Sequence, residues 1–450
     1  MTRFLSGALF IAIAALPYLG MLWSGRPAEP VAGVGAETLT IMSPHRREVR
    51  LEYSRGFGDW IRQKHGRNVQ IQWLDAGGTA KMLKDLESRY TTSPDKPGVD
   101  LLFGGGISPY LTATRQGWLE PVNVPAELLA AIPPSVAGTP VYDPDRRWFG
   151  VALSSFGILY NRLLIERMGL PVPESWEDLG RPEFFTWIAS GDPRSSGSVH
   201  MCYEIILQVY GFERGWDLLT RISANVRNFA ESGSSTPREV AAGEVAAGMV
   251  IDQYAQTVID AVGGNALVLV LPKHATVIGA DAIAALKGTA VPDLSTLFIE
   301  YSLSEPGQRL LFQTAGTAGQ KHSLFRMPVR RDLYDDPQAP KTCPYDIEAG
   351  FVYDDPKGSR RWKIINDLIG VWLIDSHDDL VGAWRNPLVR GKPSLAARLC
   401  AVPITETELN ALVAQWDDSR KRLDVMNAWA ESARQRYREI AGQTGAPQPR

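Results

Sequence analysis

Cysteine is scarce: Cys202, Cys343 and Cys400 are the only three in 450 residues, far apart and without C-x-x-C or C-x-x-H spacing. They permit at most one disulfide and argue against a cysteine-built metal centre. An excess of either charge is also missing, with 47 Lys plus Arg against 50 Asp plus Glu. There is thus no electrostatic case for a nucleic acid or a broadly anionic membrane surface as partner. The chain holds no GxxxxGK(S/T) phosphate loop, no HExxH and no GxSxG. These gaps argue against the commonest enzymatic classes while leaving others open. What is present, 44% hydrophobic and 22% charged residues, is ordinary globular composition, long enough for two or three domains.

The chain opens with an apolar run. Residues 4–23 carry no charge and follow Arg3; as a helix they would span about 30 Å, one bilayer core. The run exceeds a usual signal h-region and ends in bulky Leu22-Trp23, while the nearest small-x-small pattern, Val34-Gly35-Ala36, lies well downstream. An uncleaved anchor and a cleaved signal peptide stand equal, and both export the rest of the chain. Residues 24–37, rich in Gly, Pro and Ala, read as a linker.

From residue 38 onward strands and helices alternate. A strand at 39–42 precedes an amphipathic helix at 46–64, a strand at 69–74, a helix at 79–90 and an apolar strand at 99–103 that runs into Gly104-Gly105-Gly106. Alternation of this kind implies a parallel, doubly wound sheet. A second lobe opens at 148–160, with helices expected at 199–222 and 238–246 and a strand at 247–251. Residues 276–283 read as the return crossing and 297–315 as a helix that packs back on the first lobe. The expected organisation is residues 38–147 plus 276–335 for lobe 1, 148–275 for lobe 2, and a mostly helical C-terminal extension at 336–450 with helices at 361–374, 394–400 and 406–440. That extension is free to brace the first lobe or to bind a membrane component.

Several loops then occur in a particular order: Thr40-Ile41-Met42-Ser43-Pro44-His45, Asp75-Ala76-Gly77-Gly78-Thr79, and Val99-Asp100-Leu101-Leu102-Phe103. After them come Gly191-Asp192-Pro193-Arg194-Ser195-Ser196-Gly197-Ser198, Glu231-Ser232-Gly233-Ser234-Ser235, residues 243–254 ending in Asp252-Gln253-Tyr254, and Leu303-Ser304-Glu305-Pro306-Gly307-Gln308. The ordered set resembles the extracellular solute-binding proteins of bacterial ABC importers, in the type II group that includes ferric-iron and phosphonate binders, over residues 38–335. The resemblance implies a two-lobed α/β fold with hinge crossovers, a small ligand captured between the lobes, delivery to an inner-membrane permease, no catalysis and no cofactor. It also implies action as a monomer, without nucleic acid.

In doubly wound sheets ligands lie outside the carboxyl ends of strands, where these loops fall. The candidate ligand-binding residues are Ser43, His45, Thr79, Ser154, Ser155, Arg194, Ser195, Ser196, Gly197, Ser198, Asp252 and Tyr254. Residues 195–198 present hydroxyls and N–H groups at a helix start, suited to an anion; Ser196 or Ser198 is equally placed simply to cap that helix. Asp252 is set to receive an ammonium group or pair with a base, and Arg194 to grip an anion.

In iron-binding relatives His45 and Tyr254 match metal ligands. The second tyrosine of the pair is Ala255 here, and the acidic ligand after Phe103 is replaced by glycine, so binding without metal is the expectation. A ligand sensor for a membrane receptor is the nearest competitor. A membrane-tethered hydrolase using Ser196 or Ser198 with His200 or His45 and Asp192 is a distant one, because a triad is defined by geometry rather than spacing.

Overall fold

The computed structural model describes residues 36–443 apart from positions 76, 342, 348–349 and 387–390. The apolar run at 4–23 lies outside the described residues. Within them, no helix is long and apolar enough to cross a membrane.

The first lobe begins with β1 (Glu37–Ser43), α1 (Arg47–His65), β2 (Val69–Asp75), α2 (Thr79–Thr92), β3 (Leu101–Phe103) and α3 (Ser108–Arg115). In α1 the buried Val49, Tyr53, Phe57 and Ile61 recur every four residues and form one face. The helix stops at Gly66, whose φ of 63° closes a left-handed cap. β1 pairs in parallel with β2 on one side and β3 on the other. This is the predicted α/β alternation.

The long strand β4 (Phe149–Asn161) belongs to both lobes. Its first part, Phe149 to Ser155, pairs antiparallel with β9 (Ile278–Leu286), which in turn pairs with β3. Its second part, Phe156 to Asn161, pairs with β7 (Ala247–Ile251) and β8 (Leu267–Val270). The chain therefore changes lobe at Ser155–Phe156 on the way out, inside the strand rather than at its start. It returns between β8 and β9.

The second lobe adds β5 (Ile188–Gly191), α4 (Gly197–Val209), α5 (Phe212–Asn225), β6 (Val226–Ala230), α6 (Ser235–Ala242) and α7 (Asp252–Val262). Across both lobes the strands run β2-β1-β3-β9-β4-β7-β5-β6. The single helix expected at 199–222 is two, because Gly211 takes a φ of 79° that breaks the hydrogen-bond ladder. The helix expected at 297–315 is likewise divided into α8 (Pro292–Leu303) and α9 (Glu305–Arg309), where the extended Ser304 and Pro306 interrupt it. α8 packs into the first-lobe core, with Phe298 5.0 Å from Phe57.

After residue 335 come α10 (Asp355–Ile369), a π-helical turn at Gly370–Ile374, α11 (His377–Trp384), α12 (Pro393–Cys400), α13 (Glu406–Val413) and α14 (Ser419–Gly442). These helices do not form a brace on the first lobe alone. Trp372, Leu380, Trp384 and Tyr437 join Trp176, Tyr203, Trp216 and Ile222 in the second-lobe core. Trp384 Nε1 donates to Asn225 Oδ1 at 3.0 Å, and the Asn225 amide donates to the Leu179 and Arg181 carbonyls.

Candidate functional site

A cavity of about 270 Å³ lies between the lobes, at the small end of the roughly 300–1,000 Å³ usual for ligand pockets. The lobes meet across it. A Cβ on Gly78 would come within 2.7 Å of the Ser195 carbonyl oxygen, and one on Gly197 within 2.7 Å of Thr79 Oγ1. Each contact joins a first-lobe loop to a second-lobe loop, and each works only because one partner has no side chain. Arg46 adds a third link: its guanidinium stands 5.2 Å from the Tyr254 ring centroid and donates to Thr257 Oγ1 at 3.3 Å.

Four helices from both lobes begin at this cavity: α2 at Thr79, α3 at Ser108, α4 at Gly197 and α6 at Ser235. None has a side-chain cap. The positive ends of their dipoles lie at its wall. In α3 Pro109 has no N–H and Tyr110 N donates to Ile107 O, and in α6 Ser235 N donates to Ser232 O, so α2 and α4 offer most of the unpaired first-turn N–H groups. Ser196 occupies the N-cap position of α4 without capping it, and its Oγ lies 3.2 Å from Ser198 Oγ. Gly233 backs onto this pair so closely that a Cβ there would meet both hydroxyls within 2.9 Å. Ser232 and Ser234 line the same wall.

On the first-lobe side, buried charges form a cluster. Asp281 Oδ2 lies 2.8 Å from His45 Nε2 and pairs with Arg326, whose Nη1 is 2.8 Å from the same His45 nitrogen. Gly106 N donates to Asp281 Oδ1 at 3.0 Å, and Ser43 Oγ lies 3.1 Å from His45 Nδ1. Burial lowers the His45 pKa despite the nearby carboxylate. Burial alone would raise Asp281, but the Arg326 charge and His45 hold it well below the usual carboxylate range. Gly104 explains the glycine run after β3: a Cβ there would fall 2.5 Å from the imidazole. Arg326 is 2% exposed, and its Nε has no hydrogen-bond partner among the described residues; the same holds for Ser154 Oγ. Both residues line the cavity.

His45, Thr79, Ser154, Ser195, Ser196, Gly197, Ser198 and Tyr254 also line it, whereas Ser43, Ser155, Arg194 and Asp252 do not. Ser43 supports His45 from behind. Asp252 Oδ2 accepts from Ser155 N and Oγ at 2.9 and 3.0 Å, so both belong to the crossing between lobes. Burial lifts Asp252 to about 6, against those hydrogen bonds. Arg194 is forked between Asp192 and Asp375, two partners that take its donors away from the cleft. Ser195 Oγ donates to the Asp192 and Glu231 carbonyls. Thr79 is the first residue of α2, with Gly78 at the cap position instead of the threonine itself.

The hydrolase constellation is not assembled. His200 Nδ1 lies 2.6 Å from Asn366 Oδ1, its ring stacks on Trp362 at 3.5 Å, and burial pushes its pKa down to about 3. Asp192 is taken by Arg194. Among the described residues no group of three or more His, Cys, Asp or Glu side chains forms a metal cage.

Asp281 and Arg326 are absent from the sequence-derived candidates. They lie 236 and 281 positions from His45, beyond any local spacing, and only the return crossing brings them together.

Comparison with known proteins fits this geometry. Residues 97–328 match the family model described as bacterial extracellular solute-binding protein. PgtC of Salmonella typhimurium, a phosphoglycerate transport regulatory protein, is 27% identical over 319 residues, covering 68% of this chain and 74% of PgtC. Among solved structures, AfuA of Actinobacillus pleuropneumoniae with fructose-6-phosphate bound superposes with a TM-score of 0.58 at 22% identity, over 74% of this chain and 98% of AfuA. Iron-bound HitA of Pseudomonas aeruginosa gives 0.54 at 20%, over 73% and 99%. The chain belongs to the bacterial extracellular solute-binding proteins, as the extracytoplasmic binding component of an ABC import system with the two-lobed type II fold.

Proposed function

We propose that this protein captures a small phosphorylated organic anion between its lobes and presents the closed complex to its permease. The observation that carries the reading is the convergence of four uncapped helix starts on one small cavity. First-turn N–H groups without a partner need an acceptor, and an anion with several oxygens can satisfy more than one of them at once. The Ser196 and Ser198 hydroxyls, Ser154 Oγ and the free Nε of Arg326 add donors around the same space. The phosphoglycerate in the name of PgtC and the fructose-6-phosphate bound to AfuA belong to the same chemical class.

The ligand closes the clamp only by as much as it prefers the closed state. Moving a 1:99 ratio to 99:1 requires about 5.5 kcal/mol of differential affinity, a demand that charge-assisted hydrogen bonds to both lobes help to meet. Ferric iron is disfavoured, because Arg326 places a permanent positive charge 2.8 Å from His45 Nε2, the nitrogen a metal would need. The regulatory designation of PgtC supports a second reading, that the same clamp reports its ligand to a membrane receptor.

The test is the thermal unfolding midpoint of ligand-free protein with fructose 6-phosphate, 3-phosphoglycerate, inorganic phosphate or ferric citrate. A concentration-dependent rise with an organic phosphate supports the reading. A rise with ferric citrate alone contradicts it.

A further inference from the structure

One buried acid breaks a pattern. Asp100, Asp143, Asp281 and Asp367 are all buried, and each accepts from N–H, hydroxyl or guanidinium donors. Asp355 is 6% exposed, yet no hydrogen bond or ion pair to its carboxylate is found among the described residues. A carboxylate in so buried a residue, without a donor from the protein, calls for an explanation. Its surroundings supply one: Asp355 lines the interlobe cavity together with Trp362, whose Nε1 is also buried without a partner.

The helix that carries both residues is firmly placed. On the second lobe, Arg361 pairs with Glu204 at 2.7 Å in full burial, Trp362 stacks on His200, and Asn366 meets His200 Nδ1. On the first lobe, Ser359 Oγ lies 3.2 Å from Thr112 Oγ1 and accepts from Arg115 at 3.0 Å. Thus α10 touches both lobes and holds its first turn at the cavity. It lies beyond the segment 97–328 that matches the family model.

We infer that the C-terminal extension completes the ligand site, with Asp355 accepting a hydrogen bond from a hydroxyl or ammonium group of the ligand while the helix starts hold its anionic end. Asp355 is therefore a specificity residue that selects a polar organic phosphate over inorganic phosphate. The inference rests on the organic-phosphate reading above. Burial, with Asp354 adjacent, lifts the Asp355 pKa to about 7, the behaviour of a carboxyl group awaiting a donor.

The test is calorimetric titration of the full chain and its Asp355→Ala and Asp355→Asn variants with fructose 6-phosphate, 3-phosphoglycerate and inorganic phosphate. Asp355→Ala is expected to weaken the organic phosphate that wild type binds by about tenfold or more, the loss of one hydrogen bond to a charged group. Affinity for inorganic phosphate stays within about twofold. Without ligand, both variants unfold at a midpoint equal to or above wild type, because an unpaired buried carboxylate is gone; a merely structural residue would give a lower midpoint. Organic-phosphate affinity unchanged in Asp355→Ala, or a lowered midpoint in both variants, overturns this inference alone. Wild type binding none of the three overturns the organic-phosphate reading and this inference with it.

Discussion

Asp252 Oδ2 holds both the backbone N–H and the hydroxyl of Ser155, at 2.9 and 3.0 Å, where β4 leaves the first sheet for the second. The start of α7 in the second lobe is thereby tied to the strand on which the lobes turn. Asp252→Ala leaves Ser155 N–H and Oγ without this acceptor and is expected to lower stability by about 1–3 kcal/mol, measured by chemical denaturation.

The same residue makes a prediction about pH. The Asp252 pKa is raised from 3.8 to about 6 on folding, so between those values the native state binds more protons than the unfolded one. This group's contribution to stability therefore falls as pH rises from about 4 to about 6. Its removal in Asp252→Asn should make stability drop more steeply on acidification through that window than in wild type, by about 1.4 kcal/mol per pH unit at most. Parallel denaturation curves for the two proteins at pH 4, 5 and 6 check it; equal slopes would contradict the assignment.

Arg326 and Asp281 form a buried pair whose halves are not independent. Arg326→Met strands the Asp281 carboxylate and is expected to cost about 3–5 kcal/mol of stability. Adding Asp281→Asn should restore much of that loss without restoring ligand affinity. A double variant that regains both would show that Arg326 acts only as a counter-ion.

How much of this was legible beforehand differs by element. The α/β alternation of the first lobe shows in the sequence because β1, α1, β2, α2 and β3 each carry their own period and the glycines mark their ends. His45, Thr79, Tyr254 and the serines at 195–198 lie in loops or first helical turns that follow a strand, and that position is itself the signal; Ser154 lies within β4. Asp281 and Arg326 lie in an apolar strand and an unremarkable loop, and their role exists only through contacts between distant segments. Arg194 illustrates the reverse: a guanidinium beside a candidate helix start looked suited to an anion, until Asp375, 181 positions away, closed on it. The break at Gly211 was also local, yet apolar periodicity ran through it unbroken.

The C-terminal helices are expected to unfold with the second lobe rather than separately. Trp384 is fully buried between them and Asn225. Trp384→Ala should therefore destabilise the protein by about 3–5 kcal/mol, in a transition that the second-lobe tryptophans report together. An early transition confined to the extension would contradict this packing.

Closure depends on a missing side chain. A Cβ at Gly197 would lie 2.7 Å from Thr79 Oγ1 and 3.1 Å from Thr79 Cβ, so Gly197→Val should hold the lobes apart. The expected outcome is weaker ligand binding with little change in the stability of the ligand-free protein. Small-angle scattering should show no ligand-induced compaction in the variant.

The central claim, a clamp that closes on an organic phosphate, is tested most directly by calorimetric titration of ligand-free wild type with fructose 6-phosphate and 3-phosphoglycerate, with ferric citrate titrated alongside. Saturable binding of one organic phosphate at one site per chain, with ferric citrate giving no heat of binding, is the predicted result. Tight ferric binding with no response to either phosphate would contradict the account.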